Sequence, residues 1–407
     1  FAEFAPLADK HGGSAGTVFA EASPGVKTNR DEVVYDFDRE ALISRVKQFI
    51  DNYNAEVDRY KRASKTRRLK KNVDDFVKYD EIKWSDTLKK KLMSGVGLRS
   101  SEGHAAPSLY RPFTKKTLYF DPAILERTYS QENFFPSAKS VRDNIQIWVK
   151  AGSDWPTFGL AARSIVDLLP QGGSQCFPFY VYDEDGSNRR ENVTDWALKT
   201  FREAYGDETI SKWDIFHYVY GMLHHPGYRE KFKDCLKREL PRIPFAGTAD
   251  VSSAKKRAAG TAAFRAFADA GEQLCKLHLD YETLEPWPLK QVVSTGAKGR
   301  DLYVITDKMR LSKDKKSLKV NKRLTLLEIP KRCFDYRLGN RSALEWVIDQ
   351  YRVKTDKKSG IVSDPNREDD PEYIVRLVGQ VVRVSMETLE IIDSLPKSYG
   401  GPLPSVM

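Results

Sequence analysis

The chain has 407 residues, 40% hydrophobic and 11% aromatic, which excludes a globally disordered protein and suits two or three domains. Lys and Arg number 67 against 57 Asp and Glu, a net charge of +10, so polyanions are the expected partners and nucleic acid the first among them. No apolar stretch approaches the roughly 18 residues needed to span a bilayer, and the start lacks a signal-peptide layout, so no membrane partner and a cytoplasmic location are expected.

The chain opens on Phe1 rather than Met and reads as a fragment or a processed piece. Residues up to about Gly25 are small and read as a loop. Asp38 then caps a helix whose apolar stripe is Leu42, Val46, Phe49, Ile50, Tyr53, Val57 and Tyr60. It runs into Lys61, Arg62, Lys65, Arg67, Arg68, Lys70 and Lys71. That basic run suits phosphate binding or a solvated, exposed segment equally. Lys89-Lys90-Lys91 follows, and 95–108 reads as a loop. From Tyr110 the texture turns towards β, with a short strand expected at Thr117–Phe120. The stretch from Cys176 to Tyr182 also reads as strand, and Pro178 confines it to an edge or an irregular position.

Helices dominate next. Ser211 and Asp214 form a capping box ahead of Ile215, Phe216, Val219 and Leu223. His225-Pro226-Gly227 breaks that helix. Tyr228, Phe232 and Leu236 mark another, ended by Pro241. A long helix is expected from Ala254 to Tyr281, with Phe264, Phe267, Gly271, Leu274 and His278 down one side. Strands return at Leu302–Thr306, Leu318–Asn321 and Leu324–Ile329. Ser342 and Glu345 repeat the capping box ahead of Trp346. Asp370 as cap and Pro371 at the first helical position open a final helix striped by Ile374, Leu377, Val378, Val381, Val384 and Leu389. The fold class is α+β, with mixed helices and short strands in segregated groups.

Few residues point to chemistry. Cys176, Cys235, Cys275 and Cys333 are too far apart for a zinc site or a disulfide framework, and read as reduced thiols. Gly12-Gly13-Ser14-Ala15-Gly16 fits G-x-S-x-G, but a nucleophile elbow needs a strand before it and a helix after it. The stretch Ser294 to Arg300 lacks P-loop spacing and reads as an ordinary basic loop. His217, His224, His225 and His278 form no H-E-x-x-H pattern. His217 reads as a core histidine, and the adjacent His224 and His225 point two ways. Asp364, Glu368, Asp369, Asp370 and Glu372 read as a solvated loop rather than a metal site. No catalytic residue and no metal ligand are assigned. Between Tyr110 and Trp148, arginine and aromatic residues interleave. Arginine can pair with guanine through two parallel hydrogen bonds and aromatics can stack on bases, but the same pattern fits a half-buried strand region.

Several blocks together resemble one family. They are Gly25 to Asp31 with Val34-Tyr35-Asp36-Phe37, the Tyr110-Arg111-Pro112-Phe113 motif, Asp214 to His224, Leu240 to Pro244, Leu277 to Glu282, Tyr336 to Trp346 and Ser359 to Asn366. In their order the chain, over roughly Gly25 to Pro396, resembles the C-terminal region of Type ISP restriction-modification enzymes. These are single chains joining nuclease, helicase, adenine methyltransferase and target-recognition parts. The resemblance implies a methyltransferase-tail or connecting helical segment over 1–103, a target-recognition (specificity) domain over 104–396 and a tail over 397–407.

It also implies double-stranded DNA and upstream methyltransferase and helicase parts as partners. The parent enzyme, an adenine methyltransferase and restriction endonuclease with an ATP-dependent translocase, would use S-adenosylmethionine, ATP and Mg. No cofactor is expected in this stretch. Asp364-Pro365-Asn366-Arg367 lacks the second proline and the aromatic of an N-P-P-Y-like motif, and no Walker loop is present. The stretch would supply specificity without chemistry and place the target adenine for the methyltransferase. DNA contact is expected from Lys27, Arg30, Arg111, Lys115, Lys116 and Arg142. Arg242 and Arg337 are expected to brace helix ends. The rival is an interaction module that docks the helicase and methyltransferase parts and touches DNA only non-specifically. An independent hydrolase is the weakest reading, because no nucleophile–base pair is recognisable.

Overall fold

The computed structural model describes residues 2–9, 16–65, 72–79, 82–150, 152–169, 173–247, 253–294, 296 and 299–401. Gly12 to Ala15 of the G-x-S-x-G motif, Arg67 to Lys71 of the first basic run, and Thr295, Ala297 and Lys298 lie outside the described residues.

Alternation along three strands organises the middle of the molecule. Gln146–Lys150 pairs antiparallel with Phe158–Ala162 on one side and Gln175–Pro178 on the other. Successive side chains on a strand point to opposite faces. Ile147, Val149, Ala161 and Phe177 therefore enter one hydrophobic cluster. Trp148, Phe158, Leu160 and Cys176 enter another. The sheet is a shared wall between the two cores. Pro178 closes an edge strand, where its missing N–H costs no ladder bond.

The first core is built on two helices, Lys212–His224 and Ala254–Leu279. The Ser211/Asp214 capping box forms, and Ser253 caps the second helix. Their backbones touch at two glycines. A Cβ on Gly271 would lie 1.8 Å from the His217 carbonyl oxygen, and one on Gly221 2.3 Å from that of Phe267. Phe264, Phe267, Leu274 and His278 are buried along the contact. The expected helix around Tyr228 forms as two short pieces, Pro226–Lys231 and Lys233–Leu236.

The second core lies under the helix Arg39–Lys65. Asp38 accepts the Ala41 amide at 2.8 Å as its cap, and the stripe from Leu42 to Val57 is buried. The helix packs on a sheet ordered Tyr35–Asp36, Thr114–Tyr119, Ala105–Arg111, Ile165–Val166. Tyr35–Asp36 pairs with Leu118 and Thr117, and the cluster takes residues from both sides of position 103. The expected boundary between 103 and 104 is therefore not a break in packing. Helices Ala343–Gln350 and Tyr373–Ser394 complete this core. A further antiparallel sheet, ordered Lys290–Val293, Leu324–Leu327, Ser317–Lys319, Arg310–Leu311, lies towards the C-terminal side of the chain.

Helices and short strands in separate groups make the architecture α+β. Three local expectations need correction. The stretch 95–108 is not all loop, since a 3-10 turn at Glu102–His104 leads into the strand Ala105–Arg111. Leu302–Thr306 is not a strand: a 3-10 turn, Arg300–Leu302, leads into irregular backbone. Side-chain amides replace the ladder there. Asn321 donates to the carbonyls of Leu302 and Val304 at 2.8 and 2.9 Å, and Asn366 clamps Ile305 with two bonds of 2.8 Å. The final helix begins at Tyr373 without a side-chain cap, because Asp370 is taken by Arg376. No helix among the described residues is long and apolar enough to cross a membrane. All four cysteines are free.

Candidate nucleic-acid interface

The hairpin of Ala105–Arg111 and Thr114–Tyr119 carries three of the six predicted DNA contacts in different directions. Arg111 is 8% exposed. Its guanidinium bonds Asp167 at 2.6 Å, lies 3.6 Å from Asp31 and stacks 3.8 Å from the centre of the Tyr110 ring. Burial is the largest single influence on its pKa and lowers it, but Asp167, Tyr110, Asp31 and Tyr35 together outweigh burial and raise it. This arginine is neutralised inside the protein. Lys115 is exposed and paired with Glu282, with its ammonium over the Tyr281 ring. Lys116 is half-buried between the rings of Phe37 and Tyr110, at 4.4 and 4.8 Å, and bonds the Ser363 hydroxyl. Burial pulls its pKa down to about 8, against the pull of Asp36.

The other three lie apart. Arg30 is fully buried, donating to Ile124 O and, at 2.8 Å, to Ser85 Oγ, with its pKa lowered to about 10 by burial. It braces the segment around Ser85 against the loop at Ile124, so the expectation of DNA contact does not hold for its buried guanidinium. The same holds for Arg111. Lys27 is half-buried in a segment whose backbone pairs with Arg127, and Arg142 is exposed at the end of a short helix.

Arg111 and Lys116 meet at a cleft of about 370 Å³. Its walls carry Tyr110, Trp155 and Trp346, the cations Arg341, Arg352 and Lys354, and the carboxylates Asp31, Glu32, Asp36, Asp349 and Asp356. The hairpin of Lys354–Thr355 and Val362–Ser363 forms one side. Arg341 and Asp349 also line a second, more open concavity of about 600 Å³, together with Lys308, Arg310, Lys315 and Arg337. The ridge between the two is fixed from below. Trp346 Nε1 donates to Leu338 O at 2.9 Å, the Ser342/Glu345 capping box closes, and Gly339 turns at φ +70° against Trp155. Arg341 and Lys308 share Asp349 at 2.8 and 3.1 Å, and Lys315 takes Glu345 at 2.8 Å. Arg337, Arg352 and Lys354 form no ion pair among the described residues. Matched charges fix the walls, and unmatched ones remain to attract an anion.

Sequence reasoning missed Arg341, Arg352, Lys354 and the cations of the second concavity. A signal existed for part of it: residues 308–323 hold eight Lys and Arg against a single acid, Asp314. Arg352 and Lys354 stand in a shorter basic run with Lys357 and Lys358 against Asp356, but only the fold brings them to the cleft. Arg242 does brace backbone, donating to Ala2 O at 3.3 Å. Arg337 is instead exposed, and its guanidinium donates to Asn340 O within its own turn.

His224, His225 and His278 are interior. His278 is held by the Tyr220 hydroxyl at 2.6 Å and by Thr388 Oγ1 at 2.8 Å. His224 bonds Tyr220 O, whereas His225 turns away to cap the next helix and reach Pro396 O. His217 is only half-buried. No group of His, Cys, Asp and Glu among the described residues is suited to hold a metal ion.

The model of the Type ISP C-terminal specificity domain matches residues 17–377. No curated protein matches the chain. Three solved structures share its fold over 97% of its length. A nuclease-deletion mutant of the Type ISP restriction-modification enzyme LlaGI, in complex with a DNA substrate mimic, is 32% identical with a TM-score of 0.79. The DrdV–DNA complex is 31% identical with a TM-score of 0.80. The ATP-dependent Type ISP restriction-modification enzyme LlaBIII, bound to DNA, is 28% identical with a TM-score of 0.80. The chain spans only 34%, 38% and 24% of those proteins respectively. With the family match running across most of its length, the chain belongs to the Type ISP C-terminal specificity domain family.

Proposed function

We propose that the chain recognises a short sequence in double-stranded DNA on behalf of a Type ISP restriction-modification enzyme. The observation that carries this is the continuity of cations from Lys116, Lys354 and Arg352, across Arg341, to Arg337, Lys308 and Arg310 in two adjoining concavities. Such a face neutralises successive phosphates and sets the register of the duplex. The three similar structures are bound to DNA or a DNA mimic, which supports the same partner. Lys27, Lys115 and Arg142 line neither concavity, and are assigned peripheral phosphate contacts only. In this reading other parts of the same protein hold S-adenosylmethionine, ATP and Mg. The bound chain presents the target adenine to an N6-adenine methyltransferase among them.

Fluorescence anisotropy on labelled duplexes tests the reading. Affinity is expected to fall steeply between 50 and 200 mM salt, with a log–log slope of about −0.9 per phosphate contact, and one short sequence should outcompete random duplex. Salt-insensitive binding, or none, would end it. The exposed Tyr79, Met93 and Val96 favour a second reading, in which this side docks another part of the enzyme. Replacing all three by serine would then weaken assembly without changing DNA affinity.

A further inference from the structure

The four-stranded sheet between Lys290 and Leu327 has one face turned inward and one outward. Residues paired across strands project to the same side. Leu311, Leu318, Leu326 and Gln291 form one such row, and its central leucines are buried. The alternate row is Arg310, Lys319, Thr325 and Val292. Arg310, Lys319 and Val292 are exposed and Thr325 is half-exposed.

That row is electrostatically unfavourable in the free protein. Arg310 stands directly opposite Lys319, and like charges facing each other across strands destabilise a sheet. Asp307 balances Arg310 at 3.1 Å, but Lys319 forms no ion pair among the described residues. Exposed Lys313, Lys316 and Lys322 on the connecting turns add to the field. A polyanion would relieve this repulsion. Arg310 also lines the 600 Å³ concavity, so the row continues the cationic face already described.

We infer that this outward row enters the major groove and reads the DNA sequence, with Arg310 as a guanine reader. The inference rests on the duplex-binding reading above. From Arg310 to Thr325 is two inter-strand steps, about 10 Å, and the major groove is about 12 Å wide. An arginine fork matches O6 and N7 of guanine, and the Thr325 methyl suits a thymine methyl; Val292, a third step away at about 14 Å, lies beyond the groove's width. The turn lysines would lie over the flanking phosphates.

Selection of duplexes from a randomised pool tests this, using the 407-residue chain, its Arg310→Lys and Lys319→Met variants, and Lys354→Met in the cleft. Arg310→Lys keeps the charge and loses the fork. It should relax the selected sequence at one guanine and lower the preference there about tenfold, while random-duplex affinity stays within about twofold. Lys354→Met should weaken specific and random binding together. Lys319→Met should weaken DNA binding yet raise the melting temperature of the free chain, because it removes the facing like charge. An Arg310→Lys chain that selects the same sequence with the same preference overturns the sheet assignment and leaves duplex binding standing. A wild-type chain that selects no duplex sequence, or prefers RNA, overturns the recognition reading itself and this inference with it.

Discussion

Arg111 and Lys116 sit five residues apart on one hairpin and do different work, because only one of them ends beside a buried carboxylate. Arg111 → Ala would leave Asp167, itself 5% exposed, without its partner. Removing one member of a buried pair typically costs about 3–5 kcal/mol. A loss of that size in the unfolding free energy from urea titration, with DNA affinity per folded molecule kept, is the expected outcome. Lys116 makes the opposite prediction. Its pKa near 8 lies below the ordinary lysine value because of burial, so it is charged at pH 7 and mostly neutral at pH 9. Its share of DNA affinity should disappear over that interval, while Lys116→Arg should hold its affinity. The stability sign runs the other way. Between pH 8 and about 10.5 the unfolded chain keeps a proton that the folded chain has released, so Lys116's contribution to stability rises with pH. The interleaving of arginine and aromatic residues around Tyr110 was visible in the sequence. Where each charge ends was not, since the partner of Arg111 lies 56 residues further along.

Among elements, those with strictly local causes were the legible ones. The two capping boxes, at Ser211 and Ser342, and the stripe under Asp38 are settled within one or two helical turns, and all form. Leu302–Thr306 looked like a strand because it is apolar and β-branched, yet its backbone is satisfied by Asn321 and by Asn366, 61 residues from Ile305. Asp370 looked like a cap, but it serves Arg376 instead. Gly271 was visible on the apolar stripe of its helix, but the need for glycine appears only at the crossing with Lys212–His224. There a side chain meets backbone rather than a movable group. Gly271→Ala should therefore reach the upper end of overpacking costs, about 3 kcal/mol. Urea unfolding would show it, and a change below about 0.5 kcal/mol would mean the helices separate easily.

At the scale of the whole molecule, the buried histidines tie the pieces together. His278, on the long helix Ala254–Leu279, bonds Tyr220 on the neighbouring helix and Thr388 on the final one. The Tyr220 hydroxyl in turn accepts the Ala161 amide of the central sheet at 2.8 Å. His224 packs beside His278, with ring centres 5.4 Å apart. Burial lowers the pKa of both, that of His224 to about 4. In the unfolded chain each ring titrates near 6.5. As pH falls from 6.5 towards 4, the unfolded chain takes up protons that the folded core refuses. Stability is complete above pH 6.5 and is lost through that window, by about 3 kcal/mol for His224 alone. The urea midpoint should thus fall between pH 7 and pH 5, with more than one proton taken up on unfolding. The contact between the two cores should loosen in the same step, since one network joins the central sheet to three helices. A midpoint that stays level from pH 7 to pH 5 would mean that water already reaches these rings, and that the junction of the two cores is looser than its hydrogen bonds indicate.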